Sequence, residues 1–300
     1  MSFAGGGVGV RLLAIRSRWC CTTQCIPQIE KGPDSQTVEA LPTTLAPFTV
    51  LPGNPGGEYN QLSDTLLQIE NEFYGTIRPK RVIFPGEPPL HALRERGVEY
   101  VEVRLMDLDP FVPVGITAAT TRFIDVFLLH CLMSDSPPDT PEEIAALSRN
   151  QHKTAARGRE PGLMLERNRS EVALTDWGLE VIEGCAPIAS AMDAALGGTL
   201  YADAVAAAKQ SLQQPDTLPS ARVLAAMADD FDNSFVGFVR AQSTKTQAHL
   251  LGLPFTADQQ ARYEAMTQTS ISEQKRIEAS DSMLFETYRQ NYVSPKRLGV

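Results

Sequence analysis

Two segments near the front of the sequence alternate between apolar and polar residues, and they constrain the fold more than any other feature. In residues 67–73 all apolar side chains fall on odd positions and all even positions are polar, and in residues 98–105 most side chains alternate in the same way. A period of two residues is typical of a half-buried β-strand. Between them, residues 88–96 predict a short helix that stops at Gly97, a favourable C-cap position. The front of the chain is therefore predicted to form a small sheet.

The sequence after Pro113 has residue patterns that predict helices. Residues 140–143 are Thr-Pro-Glu-Glu, and Thr256 precedes Gln259 by three residues. Both patterns are typical of capped helix starts. Apolar spacing and good helix formers predict helices over residues 120–133, 192–214, 220–242, 256–269 and 276–291. The predicted fold class is α+β, with a partial antiparallel sheet followed by a mainly α-helical body.

Charge and cysteine content narrow the functional classes. The 300 residues carry a net charge of −9, which argues against a non-specific nucleic-acid binder or a protein of anionic membrane surfaces. No apolar run reaches the roughly 18 to 20 residues needed to span a bilayer. Five cysteines without a CxxC pair fit neither a disulfide framework nor a usual zinc site. We expect a cytoplasmic protein without nucleic-acid or membrane partners; its oligomeric state is not predicted.

The first 56 residues differ in composition from the remainder. Residues 1–28 contain three arginines and no acidic residue, as a targeting presequence or a non-native leader would. Residues 32–57 are rich in proline, threonine and glycine and predict an extended linker. The predicted organisation is a disordered leader and linker over 1–56 and a folded region over 57–300.

The two predicted strands each have a polar face that could carry chemistry. These faces comprise Gln68, Glu70, Glu72 and Tyr74 on one strand and Tyr100, Glu102 and Arg104 on the other. Carboxylate and amide oxygens suit Mg²⁺ bridging nucleotide phosphates, and an adjacent arginine suits a transferring phosphoryl group. The alternative is a solvated strand face with cross-strand ion pairs.

A second candidate is the basic segment IRPKR at residues 77–81. It contains Arg78, Lys80 and Arg81 within four positions. Such a cluster binds phosphate or carboxylate groups in some proteins and forms a solvated basic turn in others. The residues themselves leave both interpretations open.

Longer stretches of the sequence resemble one family. LLQIENEFYGTIRPKR at residues 66–81 and VEYVEVRLMDLDPF at residues 98–111 are similar to the proteobacterial class of glutamate–cysteine ligase. The similarity continues through RFIDVFLLHCLMSDSP at 122–137, ARGREPGL at 156–163 and PSARVLAAM at 219–227. It covers residues 57–300.

The resemblance implies an ATP-dependent ligation in the first step of glutathione synthesis. ATP phosphorylates the γ-carboxylate of glutamate, and the amine of cysteine then attacks the acyl phosphate to give γ-glutamylcysteine. The family's fold is similar to that of glutamine synthetase, with an antiparallel sheet forming the cleft. The implied roles are Mg²⁺ ligand for Glu102, contact to the phosphorylated group for Arg104 and part of the cysteine pocket for Tyr74. The implied cofactors are ATP and Mg²⁺, and glutamate, cysteine and ATP are the small-molecule partners.

The chain also departs from the family. A full member has a long amino-terminal portion that supplies most of the acidic metal ligands, and residues 1–56 do not resemble it. A lone carboxylate binds Mg²⁺ weakly. We therefore expect little or no ligase activity from this chain alone. The alternatives are a catalytically inactive fragment, a partner-binding relative, or a half-enzyme completed by a separate chain.

Overall fold

A computed structural model describes most of the chain behind the predicted linker. The described residues are 61–62, 68–69, 77–104, 106–135, 137–138 and 140–294. The strand predicted over 67–73 lies outside this set except for Gln68 and Ile69, which form a bend. The predicted leader and linker lie outside it as well, so the proposed division at residue 56 stays a prediction.

The described residues form four strands and nine α-helices. The strands are β1 (Ile77–Lys80), β2 (Tyr100–Val103), β3 (Met164–Arg167) and β4 (Ser170–Ala173). The helices are α1 (Pro89–Arg96), α2 (Ala118–Met133), α3 (Pro141–Arg157), α4 (Leu174–Leu196), α5 (Leu200–Gln213), α6 (Pro219–Asp230), α7 (Phe235–Leu251), α8 (Ala257–Ser280) and α9 (Phe285–Tyr292). A short 3₁₀ turn, Pro215–Thr217, precedes α6. Antiparallel strand pairs and a helical body confirm the predicted α+β class.

The first sheet is an antiparallel pair of β1 and β2. Ile77 lies opposite Val103, and Lys80 lies opposite Tyr100. The strand predicted over 98–105 is confirmed over its central four residues. The basic segment at 77–81 is not a solvated turn, because four of its residues form β1. Among the residues that the structure describes, β1 pairs with β2 alone, and proline at position 79 is tolerated in such an edge strand.

The second sheet is the hairpin of β3 and β4, which the sequence pattern did not predict. Its strands are joined by Asn168 and Arg169, both of which have positive φ angles, 52° and 62°. Two successive residues in this left-handed region make a type I′ connection, which matches the twist of antiparallel strands. Leu165 of β3 points into the core at 1% exposure.

Helices α2, α4 and α5 pack together and enclose the main hydrophobic core. The core residues of α2 recur at helical spacing, as Phe123, Val126, Phe127 and Cys131. Helix α4 contributes Trp177, Val181, Ile182, Cys185 and Ala189. The sequence around Cys185 is typical of a loop, but this cysteine lies inside α4 with no exposed surface. Its burial is consistent with a packing role.

Four predicted helices have ends that differ by several residues in the structure, and the one predicted over 256–269 continues to Ser280 as α8. The helix predicted over 220–242 is two helices, α6 and α7, separated by Asp232 and Asn233 with φ of 48° and 60°. The helix predicted over 192–214 is interrupted at Gly197 and Gly198, whose φ angles of 85° and 92° suit glycine. The final prediction, 276–291, comprises the end of α8 and most of α9.

The predicted helix caps are confirmed. The side chains of Thr140 and Thr256 each accept a hydrogen bond from the backbone N–H of the third helix residue. In return, the side chains of Glu143 and Gln259 accept the backbone N–H of the respective threonine. Gly97 follows α1 with a φ of 71°. These caps satisfy backbone groups that the helices themselves leave unpaired.

Contacts divide the chain into two compact units. The described part of the first unit comprises residues 77–82 and 92–246; that of the second comprises 61–62, 68–69, 83–91 and 247–294. In the second unit the Arg289 guanidinium donates to the backbone carbonyl of Leu62. Phe255 and Tyr263 stack there with ring centroids 5.7 Å apart. None of the described helices is long and apolar enough to cross a membrane.

Candidate active site

The polar face of the β1–β2 pair brings together three of the predicted site residues. Arg104 Nε lies 2.9 Å from Glu102 Oε2, and Arg104 Nη2 lies 3.3 Å from Glu102 Oε1. Lys80 Nζ approaches the same Oε2 atom at 3.3 Å. One carboxylate therefore holds two cations, of which one comes from the neighbouring strand.

The two-residue period explains why this face is polar. Arg78 lies opposite Glu102 and Lys80 lies opposite Tyr100, so these four side chains share one face. On the other face Ile77, Val101 and Val103 pack against the hydrophobic core. Burial of the apolar face fixes the register, because a slip by one residue would exchange the two faces.

The two cations change the acidity of Glu102. Hydrogen bonds from Arg104 lower the pKa of this carboxyl below its ordinary value of 4.5, and Lys80 acts in the same direction. Partial desolvation opposes them with a smaller effect than that of Arg104. The Glu102 side chain keeps 37% of its surface exposed, so it is ionised and accessible at neutral pH.

The third cation of the basic segment has a different partner. Arg81 Nε lies 3.6 Å from Glu99 Oε2, which also accepts a hydrogen bond from the backbone N–H of Val82 at 3.1 Å. The backbone N–H of Glu99 donates to the Lys80 carbonyl at 2.9 Å. Arg81 thus contributes to the end of the strand pair and not to the cluster around Glu102.

The charge of the polar face favours an anionic ligand. Arg78, Lys80 and Arg104 supply three positive charges and Glu102 supplies one negative charge, which leaves an excess of two positive charges. Arginine donors arranged as a planar fork suit phosphate and carboxylate oxygens. The face can therefore bind a phosphate or carboxylate group of a ligand.

Glu102 fits Mg²⁺ as one ligand of a larger set. Mg²⁺ is usually held by one or two carboxylates together with substrate phosphates and water. No three His, Cys, Asp or Glu side chains converge to form a metal site within the part of the chain that the structure describes. Glu70, Glu72 and Tyr74 lie outside the described residues, and their predicted contacts stay predictions.

One arginine to which the sequence assigned no role contacts the segment that follows β2. Arg222, in the first turn of α6, places its guanidinium 4.0 Å from the centre of the Phe111 ring. Its Nη1 atom lies 3.9 Å from Asp109 Oδ2. Asp109 and Phe111 belong to the segment between β2 and α2. The only signal in the sequence was the similarity of the surrounding PSARVLAAM segment to the family.

Comparison with known proteins gives a consistent result. The sequence profile of the glutamate-cysteine ligase family matches residues 35–154. The glutamate–cysteine ligase of Janthinobacterium sp. (strain Marseille) is 43% identical over 236 residues, which are 79% of this chain and 44% of that protein. The enzyme of Pseudomonas fluorescens (strain Pf0-1) is 36% identical over 270 residues, or 90% of this chain and 50% of that protein.

A solved structure agrees with these relatives. The crystal structure of glutamate–cysteine ligase from Francisella tularensis, in complex with AMP, is similar with a TM-score of 0.80 and 30% sequence identity. The similarity covers 88% of this chain and 52% of that one. The chain thus spans about half the length of the relatives that it matches.

Proposed function

Because this chain is related to the glutamate–cysteine ligases over the part of them that it spans, we propose that it forms one wall of a site that joins glutamate to cysteine with ATP. The observation that carries the proposal is the Glu102 carboxylate held between Arg104 and Lys80 on a polar strand face. The AMP bound to the relative from Francisella tularensis supports a nucleotide ligand.

Each residue of the cluster has a distinct proposed role. Glu102 is a Mg²⁺ ligand, and a bound Mg²⁺ would neutralise nucleotide phosphates at this face. Arg104 contacts the phosphoryl group in transfer, and Arg78 and Lys80 add positive charge beside it. Tyr74 contributes to the cysteine pocket, and Glu70, Glu72 and Arg81 remain candidates for substrate or phosphate contacts.

The proposed chemistry has two displacements. An oxygen of the glutamate γ-carboxylate attacks the terminal phosphorus of ATP, the bond to the bridging oxygen breaks, and ADP leaves. The nitrogen of cysteine then attacks the acyl carbon, inorganic phosphate leaves, and the amine loses a proton. Arg104 and Lys80 stabilise the negative charge that spreads over the phosphoryl oxygens, because fixed donors need no reorganisation during the reaction.

The same geometry supports low activity of the chain alone. Glu102 is the one carboxylate on the polar face of the described strand pair, and Mg²⁺ needs further anchors. A half-enzyme completed by another polypeptide and a catalytically inactive relative both remain alternatives to independent activity. We also propose a cytoplasmic location, in keeping with the biosynthetic role.

A segment exchange tests the proposal. The matched 236 residues of the Janthinobacterium ligase would be replaced by those of this chain, and ADP release measured with and without glutamate and cysteine. We expect ligation dependent on both amino acids. Arg104→Lys keeps the charge but loses the fork, so the rate should fall by at least about tenfold, and Glu102→Gln should raise the Mg²⁺ requirement.

The control is an ion pair outside the site. Glu160→Gln breaks the exposed Arg157–Glu160 pair, whose atoms lie 2.6 Å apart, and the rate should remain unchanged. The proposal fails if an active exchange protein tolerates Glu102→Gln and Arg104→Lys as well as it tolerates Glu160→Gln. Separately, ATP- and cysteine-dependent ADP release by the purified chain at the rate of the Janthinobacterium enzyme would contradict the expectation of low activity.

A further inference from the structure

A cavity of about 250 Å³ lies in the first unit, and no residue of β1 or β2 lines it. Its walls come from the β2–α2 segment, the start of α2, helix α5 and the start of α6. Its volume is far above the roughly 10–15 Å³ that a single water molecule needs. The cavity can therefore hold a molecule of amino-acid size.

Asp109 and Arg222 both line this cavity and form an open ion pair. The distance from Arg222 Nη1 to Asp109 Oδ2 is 3.9 Å. By contrast, the pairs Arg149–Glu166 and Arg167–Glu180 close to 2.6 and 2.5 Å. The Arg222 guanidinium makes no hydrogen bond to the described residues, so its donors are available to a ligand.

Asp109 and Arg222 each contact Phe111 as well as each other. The Phe111 ring lies 4.0 Å from the Arg222 guanidinium, and Phe111 packs edge-on against Phe238, which is 1% exposed. Asp109 Oδ1 accepts the backbone N–H of Phe111 at 2.9 Å, which leaves Oδ2 for another partner. The backbone N–H of Asp109 donates to the Gly115 carbonyl at 2.8 Å. A carboxylate and a guanidinium thus lie side by side, 3.9 Å apart, at this cavity.

The interior of the cavity is mainly apolar. Phe123, Leu212 and Leu218 line it and are 4%, 8% and 6% exposed. Thr117 and Thr120 also line it, with their hydroxyl oxygens 2.9 Å apart. A matching ligand has a positive and a negative group at one end, to pair with Asp109 and Arg222, and a short apolar group at the other end, to fill the apolar interior.

We propose that this cavity binds a zwitterionic α-amino acid with a short aliphatic side chain. The ligand carboxylate pairs with Arg222, the ammonium pairs with Asp109, and the side chain enters the space beside Phe123 and Leu212. Guanidinium and carboxylate are the natural complements of the two charged groups of an amino acid. None of the residues that line the cavity belongs to the cluster around Glu102, and the inference goes beyond the proposed ligation.

The test is a calorimetric titration of the purified chain with L-leucine. Two matched probes each lack one charged group: 4-methylpentanoate has no ammonium and 3-methylbutylamine has no carboxylate. We expect saturable binding of leucine at millimolar concentration and at least about tenfold weaker binding of both probes. L-Glutamate should also bind more weakly, because its second carboxylate would enter the apolar interior.

Variants then locate the site. Arg222→Gln and Asp109→Asn should each weaken leucine binding by at least about tenfold. The second variant keeps a side-chain oxygen that can still accept the Phe111 N–H, so the loop contact is preserved. Arg276→Gln, which breaks an exposed pair on α8, should leave binding unchanged. Circular dichroism checks that each variant is folded.

Three results would overturn the proposal: no saturable binding of leucine to the intact folded chain, equal binding of leucine and both probes, or binding insensitive to Arg222→Gln and Asp109→Asn. In the first case Asp109, Phe111 and Arg222 only hold the β2–α2 segment to α6. The titration needs no ligase activity, so its outcome is independent of the proposed function.

Discussion

Arg104 holds both oxygens of the Glu102 carboxylate from a position two residues further along the same stretch of chain. The contact needs no residue from another part of the chain, because residues two positions apart in an extended segment point to the same side. A divalent cation at Glu102 would therefore compete with Arg104 and with Lys80 for the same oxygens. This relationship makes the acidity of Glu102 the most direct probe of the site.

Removing the Arg104 guanidinium should raise the pKa of Glu102. Hydrogen bonds from Arg104 are the main reason that this pKa lies below 4.5, and Lys80 contributes less. We expect Arg104→Gln to bring the pKa back toward 4.5 and Lys80→Gln to raise it by a smaller amount. A pH titration followed by nuclear magnetic resonance of the Glu102 carboxyl carbon measures both. Equal shifts in the two variants would contradict this ranking.

The same shift determines how Glu102 affects stability. Because its pKa is lower in the folded state than in the unfolded one, its contribution is present at pH values above 4.5 and is lost as the pH falls through the lowered pKa. Arg104→Gln should remove that part of the acid sensitivity. The effect should be small, since Glu102 is more than one third exposed. Urea unfolding at a series of pH values provides the measurement.

Asn150 should be more important for stability than its charged neighbour. Its side-chain amide is 3% exposed, donates to the Glu166 carbonyl at 2.7 Å and accepts the Glu166 N–H at 2.8 Å. Asn150→Ala leaves both backbone groups without this partner, so we expect a loss of about 1–3 kcal/mol in the free energy of unfolding. Arg149→Gln breaks the exposed pair to the Glu166 carboxylate and should cost less than Asn150→Ala, because exposed ion pairs contribute little.

Urea unfolding of both variants tests this order. Asn150→Asp is a third variant, because it keeps an acceptor for the Glu166 N–H but loses the donor to the carbonyl. It should be destabilised at neutral pH. A larger loss for Arg149→Gln than for Asn150→Ala would show that the charged pair dominates.

Gly184 in α4 leaves room for the ring of His130. A Cβ atom at position 184 would lie 2.5 Å from His130 Cε1. Alanine normally stabilises a helix interior by up to about 1 kcal/mol relative to glycine, but overpacking typically costs about 1–3 kcal/mol. Gly184→Ala should therefore be destabilising in the native background and stabilising after His130→Ala. Thermal unfolding of the two single variants and the double variant gives the coupling, and simple additivity would contradict the contact.

Asp193 connects the end of α4 to the start of α5. Its two carboxylate oxygens accept the backbone N–H groups of Tyr201 and Ala202 at 3.0 and 2.8 Å, and the residue is 8% exposed. A lost cap typically costs about 0.5–2 kcal/mol. Asp193→Ala should accelerate amide hydrogen exchange in the first turn of α5. Asp203→Ala removes an exposed carboxylate of the same turn and should have a smaller effect; equal exchange in both variants would exclude the cap.

The sequence predicted elements whose signals are local. The caps at Thr140 and Thr256 and the stop at Gly97 depend on a few adjacent residues. Strand β1 has no such signal, because its Arg-Pro-Lys composition resembles a turn and its strand state depends on pairing with β2. Only the end of helix α4 was predicted, because Pro187 lies inside it and proline normally ends a helix.

The candidate site could also be predicted only in part from the sequence. Alternation alone placed Glu102 on a polar face, and Arg104 followed from its spacing. The contact between Lys80 and Glu102 depends on the register of two strands, which the side-chain pattern did not reveal. The hairpin of β3 and β4 turns at Asn168 and Arg169, whereas the usual signal for such a turn is Asn followed by glycine.

Helix α8 has consequences for how the protein responds to heat. All of its 24 residues are described and none is buried, so its order depends on the box at Thr256 and on short-range pairs such as Arg276–Glu273. A helix supported in this way follows helix–coil behaviour, in which residues unwind from the ends over a wide temperature range. The far-ultraviolet signal of the chain should therefore decline gradually on warming before the core helices α2, α4 and α5 melt in a sharp transition.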